Sequence, residues 1–206
     1  MNPKEIRETL EVYFTPIPVR MEYQIQKYMK LLDLWGRKMP LTSVRDPEEI
    51  VRFHFGESIF ALSLCRMTKG RLADVGSGAG FPGLAIKLAS PELAVTLIEP
   101  NKKKCAFLHE VVRALELPGV EIISSSFEAS GVAIRSMDFV VSRALGQRKA
   151  ILDWAKDKLV VEGNLILWLG EQDCEAVAAS ADWHWEEPTL IPGTKGRFVL
   201  RGSPIW

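Results

Sequence analysis

The stretch RLADVGSGAGFPGLAIKL, residues 71–88, decides how the rest of this 206-residue chain is interpreted. An apolar run ends at Val75, and glycines then recur within eight positions, at Gly76, Gly78, Gly80 and Gly83. Such a turn is costly to fold, because each glycine loses more backbone entropy than any other residue. Its place between a predicted strand and a predicted helix indicates a binding loop, since backbone N–H groups and the positive end of the helix dipole then face a ligand.

Two acidic residues narrow the choice of ligand. Glu99 ends the next predicted strand, 23 residues past Gly76, where a carboxylate can accept hydrogen bonds from both ribose hydroxyls. A dinucleotide fingerprint would need glycine where Phe81 stands. The spacing from Asp74 through Gly76 and Gly78 instead favours an adenosine cofactor without pyrophosphate, with a cationic amino-acid tail near Asp74. S-adenosylmethionine meets that description; the structural alternative is a tight strand–helix turn without a ligand.

Composition excludes few classes of protein. The chain has 26 basic and 26 acidic residues, so any positive charge that meets nucleic acid must be local. Three well-separated cysteines without a CxxC pair argue against a disulfide framework and against a metal site. The sequence shows no signal segment and no apolar run of membrane-spanning length. We therefore predict a cytoplasmic monomer without a membrane partner.

The pattern of apolar residues divides the chain near residue 68. Residues 1–67 repeat at helical spacing and predict an N-terminal helical cap, whereas residues 68–206 alternate strands with helices. This alternation predicts an α/β fold with a mostly parallel seven-stranded sheet covered on both faces. The predicted strands are 71–75, 94–99, 120–125, 138–142, 164–169, 183–192 and 197–202. The predicted helices among them are 82–89, 101–117, a short one after Phe127, 144–159 and 171–181, and GTKG joins a terminal antiparallel hairpin.

Four segments carry a resemblance to a known family. LTSVRDPEEI (41–50), DVGSGAGFPGLAI (74–86), TLIEPNKKKCAFL (96–108) and DFVVSRAL (138–145) resemble, in order and spacing, ribosomal RNA small subunit methyltransferase G, also called glucose-inhibited division protein B. The segment FHFGES is similar to the family's HxxDS. The resemblance implies a class I S-adenosylmethionine-dependent methyltransferase with a Rossmann-like fold. It also implies methylation of guanine N7 in a 16S rRNA loop of the small ribosomal subunit.

Carried over by position, the family's cofactor contacts fall on Gly76, Phe81, Phe127, Glu128 and Arg143, and Glu99 stands at its ribose-binding acid. With Asp74 and Gly78 from the glycine loop, these residues are the predicted cofactor site. From the residues alone, Phe127 either covers an adenine face or is a core aromatic.

The predicted RNA contacts are Arg143, Arg197, Lys103 and His54. Each has an ordinary alternative: a structural arginine or histidine, or a solvated charge. We expect no catalytic acid or base, because neutral guanine N7 already carries an exposed lone pair.

Two positions depart from the family pattern. Ser126 and Leu169 stand where the family usually has basic residues, on the face expected to meet cofactor or RNA. They support an alternative: a homologue that binds cofactor and RNA with impaired catalysis. A nicotinamide-dependent oxidoreductase is a further alternative, against which Phe81 argues.

Overall fold

The computed structural model describes residues 1–143 and 146–206 of the chain. Its helices are α1 (Pro3–Glu11), α2 (Met21–Gly36), α3 (Pro47–Ile50), a π-helical turn (Val51–Gly56), α4 (Glu57–Leu64), α5 (Gly83–Ala89), α6 (Lys102–Ala114), α7 (Arg148–Lys158) and α8 (Glu171–Ala178). Its strands are β1 (Lys69–Val75), β2 (Glu92–Ile98), β3 (Val120–Ile123), β4 (Met137–Ser142), β5 (Leu159–Gly170), β6 (Trp183–Trp185), β7 (Thr189–Leu190) and β8 (Arg197–Pro204). The predicted first two residues of the 144–159 helix lie outside the described residues.

Side-chain caps explain where several helices begin. The Asp46 side chain accepts a hydrogen bond of 2.9 Å from the Glu49 N–H, and Pro47 occupies the first helical position of α3. The Asn101 side chain likewise accepts from the Lys103 N–H at 2.9 Å and starts α6 directly after β2. The second cap places the start of α6 beside the carboxyl end of β2.

The sheet confirms the predicted, mostly parallel arrangement. Its order is β3-β2-β1-β4-β5-β8-β6; β1 to β5 pair in parallel, and β8 pairs antiparallel with β5. The predicted strand 183–192 forms two short strands, β6 and β7, which both pair with β8. Pro188 lies between them and has no N–H to donate to the ladder.

Because β1 to β5 run parallel, their carboxyl ends meet at one edge of the sheet.

The predicted short helix after Phe127 is wrong. This segment makes a single turn, in which the Ala129 N–H donates to the Ser126 carbonyl at 3.2 Å and the Ser130 N–H donates to the Phe127 carbonyl at 3.2 Å. Gly131 follows with a φ of 71°, a left-handed conformation that ends the turn. One turn fixes several dihedral angles for few hydrogen bonds, so it does not propagate into a helix.

Two apolar clusters cover the two faces of the sheet. The first combines the N-terminal helices with α5 and α6, for example through Tyr28, Phe55, Leu84 and Phe107. The second packs α7 and α8 on the opposite face, with Trp154 among its buried residues. The division of the chain at residue 67 stays a prediction. Within the described part of the chain, no helix has the length and apolar character needed to cross a membrane.

Candidate functional site

The glycine loop after β1 contains glycines of two kinds. Gly76, Gly78 and Gly80 have φ values of 74°, 57° and 89°, in the left-handed region that favours glycine. A Cβ on Gly80 would overlap the Tyr28 hydroxyl and lie 2.7 Å from Leu84 Cδ1. At Gly78 the nearest atom to a Cβ would be the Gly76 carbonyl oxygen, 3.8 Å away. Packing therefore requires the glycine at position 80, whereas Gly78 borders open space at the sheet edge.

Asp74 lies fully buried beneath this loop. Its Oδ2 accepts a hydrogen bond of 2.9 Å from the Gly83 N–H. Its Oδ1 has no hydrogen-bond partner among the described residues. Burial raises the pKa of the Asp74 carboxyl from 3.8 to about 7, against the opposing effect of the Gly83 N–H. A nearby cation would favour the ionised carboxylate.

Glu99 joins the glycine loop to the start of α6. Its Oε2 accepts from the Gly78 N–H at 2.9 Å and its Oε1 accepts from the Asn101 N–H at 2.8 Å. An ionised carboxylate has about four lone-pair sites, so each oxygen retains acceptor capacity for a ligand hydroxyl. Glu99 is thus fixed, largely buried, at the carboxyl end of β2, and it lines neither of the two cavities described below.

A cavity of about 270 Å³, which we call the Phe127 cavity, opens between β1, β2 and α7. It is lined by Val75, Gly76, Ile98, Pro100, Ser126, Phe127, Glu128, Gly146, Gln147 and Ile151. The Phe127 ring packs edge-on against Trp154, with ring centroids 5.9 Å apart, while Glu128 is exposed. An apolar wall with a few polar groups at its rim suits a flat purine ring.

A second cavity of about 360 Å³, the Arg143 cavity, opens between the glycine loop and the N-terminal helices. It is lined by Leu41, Val44, Phe53, His54, Gly76, Ser77, Gly78, Ala79, Phe81, Arg143 and Arg197. Gly76 lines both cavities, so they meet at the end of β1. A ligand that fills the first cavity can therefore present one end to the second.

Arg143 and Arg197 share one buried carboxylate. Arg143 Nη2 lies 2.9 Å from Glu57 Oε2, and Arg197 Nη2 lies 2.8 Å from Glu57 Oε1. Arg143 also donates two hydrogen bonds, of 3.1 and 3.0 Å, to the Phe53 carbonyl. The Arg197 guanidinium lies 4.5 Å from the centre of the Phe53 ring, a cation–π contact. Both cations therefore line the cavity while held by residues 53–57.

His54 and Phe81 form part of an aromatic stack. The His54 ring lies on Phe81 at 4.8 Å, and Phe81 lies on Tyr28 at 5.4 Å. Burial, reinforced by the charges of Arg143 and Arg197, lowers the pKa of His54 to about 4. At neutral pH, His54 is therefore an uncharged ring at the cavity wall, unable to pair with a phosphate as a cation.

The remaining predicted residues separate in the structure. Lys103 is exposed in the first turn of α6, and neither of the two cavities described above includes it in its lining. Ser126 lines the Phe127 cavity, so the departure from the family pattern there does fall on the candidate site. Leu169 is instead buried in the second apolar cluster. The expectation that both departures lie on the ligand-facing surface is therefore wrong for Leu169.

Glu57, Phe53 and Tyr28 are not among the predicted site residues, although Glu57 belongs to the segment similar to the family's HxxDS. The available signal was Glu57 itself, which opens the otherwise apolar helix ESIFALSL. Acidic residues are rarely fully buried unless they are paired. A carboxylate in that pattern therefore indicates a buried cation, although the sequence does not say which one.

Comparisons with known proteins identify a matching family. A family model described as rRNA small subunit methyltransferase G matches residues 21–190. A ribosomal RNA small subunit methyltransferase G from Chloroflexus aggregans is 31% identical over 204 residues, covering 94% of this chain and 86% of that protein. One from Xylella fastidiosa strain 9a5c is 35% identical over 198 residues, covering 94% and 87%.

Solved structures give the fold. A precorrin-6y C5,15-methyltransferase from Geobacter metallireducens matches with a TM-score of 0.56 at 15% identity, covering 71% of this chain and 87% of that one. TYW2 from M. jannaschii, in complex with AdoMet, matches with a TM-score of 0.52 at 16% identity, covering 66% and 68%. At these identities the likeness concerns the fold, which is the Rossmann-like fold of class I methyltransferases, as predicted.

Proposed function

This chain belongs to the rRNA small subunit methyltransferase G family, and from that membership we propose that it transfers a methyl group from S-adenosylmethionine to N7 of a guanine in a 16S rRNA loop. The observation that carries the proposal is the meeting of the two cavities at Gly76. The Phe127 cavity would hold the methyl donor and the Arg143 cavity the target base. The methyl would then pass between them beside the glycine loop.

The residues at this edge of the sheet offer a partner for each part of the donor. Phe127 and Glu128 would bind the adenine in the Phe127 cavity, and Glu99 would accept hydrogen bonds from the ribose. The open space beside Gly78 leaves room for the sulfonium end. Asp74 lies buried under the same loop, and its unpaired Oδ1 would supply negative charge to the cationic donor once ionised. When bound, the donor supplies an electrophilic methyl group that leaves a neutral thioether.

The proposed reaction requires positioning more than proton transfer. The N7 lone pair of neutral guanine forms the new N–C bond directly while the S–C bond breaks, so no proton must be removed first. Holding two reactants at near-attack distance lowers a barrier by up to about 7–11 kcal/mol. Arg143 and Arg197 can donate to guanine O6 and leave N7 free. An unpaired loop base is accessible to such a site.

The proposal includes a single copy of the chain acting on rRNA in the cytoplasm. Small-subunit rRNA is the proposed partner.

Tritium transfer tests this function. Labelled S-adenosylmethionine is incubated with small-subunit particles that lack the modification, and the labelled nucleoside is identified after digestion. We expect label in 7-methylguanosine at one 16S position, with fully modified particles as the unlabelled control. Cofactor and RNA binding without transfer would instead favour a catalytically impaired homologue, consistent with Ser126 in the Phe127 cavity.

Arg197→Ala is expected to weaken RNA binding by about 10-fold, since charge-assisted contacts contribute about 1.5–3 kcal/mol. S-adenosylhomocysteine affinity should stay within about twofold, because the exposed part of Arg197 lies on the Arg143 cavity. Filter binding and calorimetry measure the two affinities; equal losses would indicate a structural role.

A further inference from the structure

We infer that Glu57 is a positioning residue that fixes Arg143 and Arg197 relative to each other at the wall of the Arg143 cavity, so that both meet the target nucleotide. The inference rests on the proposed function. It adds Glu57, which is not among the residues proposed to contact the cofactor or the RNA. It is carried by the geometry of one carboxylate between two guanidinium groups.

Each oxygen of this carboxylate contacts a different arginine. Oε2 accepts from Arg143 at 2.9 Å, and Oε1 lies 2.8 Å from Arg197 Nη2. The Glu57 side chain is 1% exposed, whereas Arg143 and Arg197 remain 22% and 44% exposed. The carboxylate is therefore out of reach of a ligand, while both of its partners can still contact one. Glu57 can act on the target nucleotide through these arginines.

The backbone around Glu57 is held in place by separate contacts. The Trp168 indole N–H donates to the Glu57 carbonyl at 2.7 Å, which fastens the start of α4 to β5. The preceding π-helical turn contributes the Phe53 carbonyl that Arg143 contacts and the Phe53 ring that Arg197 contacts. Such turns are frequent at functional sites. Both arginines are thus held by contacts with the same segment, residues 53–57.

Charge explains why a carboxylate is needed at this position. Two guanidinium groups that line one cavity repel each other and would separate or turn toward solvent. The Glu57 carboxylate cancels one of the two charges, and the neutral His54 adds none. The cavity wall therefore keeps a net single positive charge in a fixed place, which lessens repulsion of the cationic methyl donor nearby.

The chain offers a matched control for the loss of a buried ion pair. Glu22 on α2 accepts two hydrogen bonds from Arg7, of 3.0 and 2.9 Å, and does not line the two cavities. Glu57→Gln and Glu22→Gln both remove one buried negative charge while keeping side-chain shape. A purely structural role for Glu57 predicts that the two variants behave alike.

The test measures thermal unfolding, S-adenosylhomocysteine binding, and kcat and KM with small-subunit particles. We expect both variants to lose stability, and Glu57→Gln alone to lose about 100-fold in kcat/KM for RNA, the effect of misplacing reactants by about 1 Å. Glu57→Asp keeps the charge on a side chain too short to reach both arginines equally, and should lose about 10-fold, less than Glu57→Gln. Equal kcat/KM in the two glutamine variants overturns the inference. Inactivity of the wild type would overturn the proposed function and the inference with it.

A double-mutant cycle separates positioning from a general loss of fold. If Glu57 acts through Arg197, then Arg197→Ala should cost about 10-fold in RNA affinity in the wild type but about twofold or less in the Glu57→Gln background. Additive losses overturn the inference. Where Glu57→Gln does not fold, the same cycle with Glu57→Asp gives the answer, because its shorter side chain cannot span both guanidinium groups at the same distances.

Discussion

Gly80→Ala is expected to lower the free energy of unfolding by about 3 kcal/mol or more, whereas Gly78→Ala should lower it by about 1 kcal/mol. Both positions have positive φ, which costs alanine about 1–2 kcal/mol. At Gly80 the added Cβ also overlaps the buried Tyr28 hydroxyl and lies 2.7 Å from Leu84 Cδ1. Overpacking of a core adds about 1–3 kcal/mol. Urea unfolding of the two variants measures the difference.

The cause of the larger effect can be tested by removing the atom that is overlapped. Tyr28→Phe eliminates the hydroxyl, which donates to the Ala79 carbonyl at 2.6 Å, and should cost about 1 kcal/mol by itself. In the Gly80→Ala background, the same change should recover part of the lost stability, giving a less than additive double variant. Equal destabilisation by the Gly78 and Gly80 substitutions would contradict the assignment of Gly80 to packing.

Gly78→Ala provides the functional half of this comparison. Its Cβ enters the open space at the sheet edge, so we expect a weaker affinity for S-adenosylhomocysteine with only the stability loss of about 1 kcal/mol due to its positive φ. Gly80 is thus needed for packing and Gly78 for ligand space, and the spacing of glycines in the sequence does not distinguish these two roles.

Local pattern was sufficient to predict the sheet. Short apolar runs alternate with amphipathic segments, and each type depends on residues a few positions apart. The glycine spacing and Glu99 indicate the carboxyl edge of the sheet as the place for a ligand, because parallel strands end together, and this stays a prediction. The short helix after Phe127 was wrong because a serine-rich turn closed by Gly131 contains no periodic apolar residues to distinguish it.

Residues brought together over long distances could not be predicted. Glu57 and Arg143 are 86 positions apart, and Tyr28 reaches the Ala79 carbonyl across 51 positions. Nothing within a few residues of Arg143 reveals which carboxylate will pair with it. The roles assigned to the predicted site residues stay predictions, whereas the placement of the glycine loop and Glu99 at one edge follows from the sheet.

Asp74→Asn is expected to stabilise the cofactor-free protein at pH 8 by about 2 kcal/mol while weakening its affinity for S-adenosylmethionine. The difference between a pKa of 3.8 and one of about 7 corresponds to about 4 kcal/mol above both values. The amide can still accept from the Gly83 N–H, but its NH2 group would take the place of the unpaired Oδ1. An unsatisfied buried donor costs about 1–3 kcal/mol, which leaves a net gain.

The pH dependence of stability shows whether ionised Asp74 destabilises the protein, without relying on the properties of the asparagine side chain. Between pH 3.8 and about 7, the folded protein retains a proton on Asp74 that the unfolded chain releases. The stabilisation due to the protonated carboxyl is therefore fully present below pH 3.8 and is lost as the pH rises through about 7. The stability difference between Asp74→Asn and the wild type should grow across this window and level off above it. Glu22→Gln, which removes a carboxylate already paired with Arg7, should instead destabilise the protein.

Stability favours the neutral side chain at position 74, whereas cofactor binding should favour the ionised carboxylate. A cationic sulfonium or ammonium near Asp74 favours the ionised carboxylate, because an opposite charge within about 4–6 Å lowers a carboxyl pKa by about 1–3 units. The affinity of the wild type for S-adenosylmethionine should therefore rise between pH 6 and pH 8, while that of Asp74→Asn stays flat and is about 10- to 100-fold weaker at pH 8. Calorimetry across this range measures both curves. Equal affinities of the wild type and Asp74→Asn for S-adenosylmethionine at pH 8 would show that Asp74 does not contribute to cofactor binding.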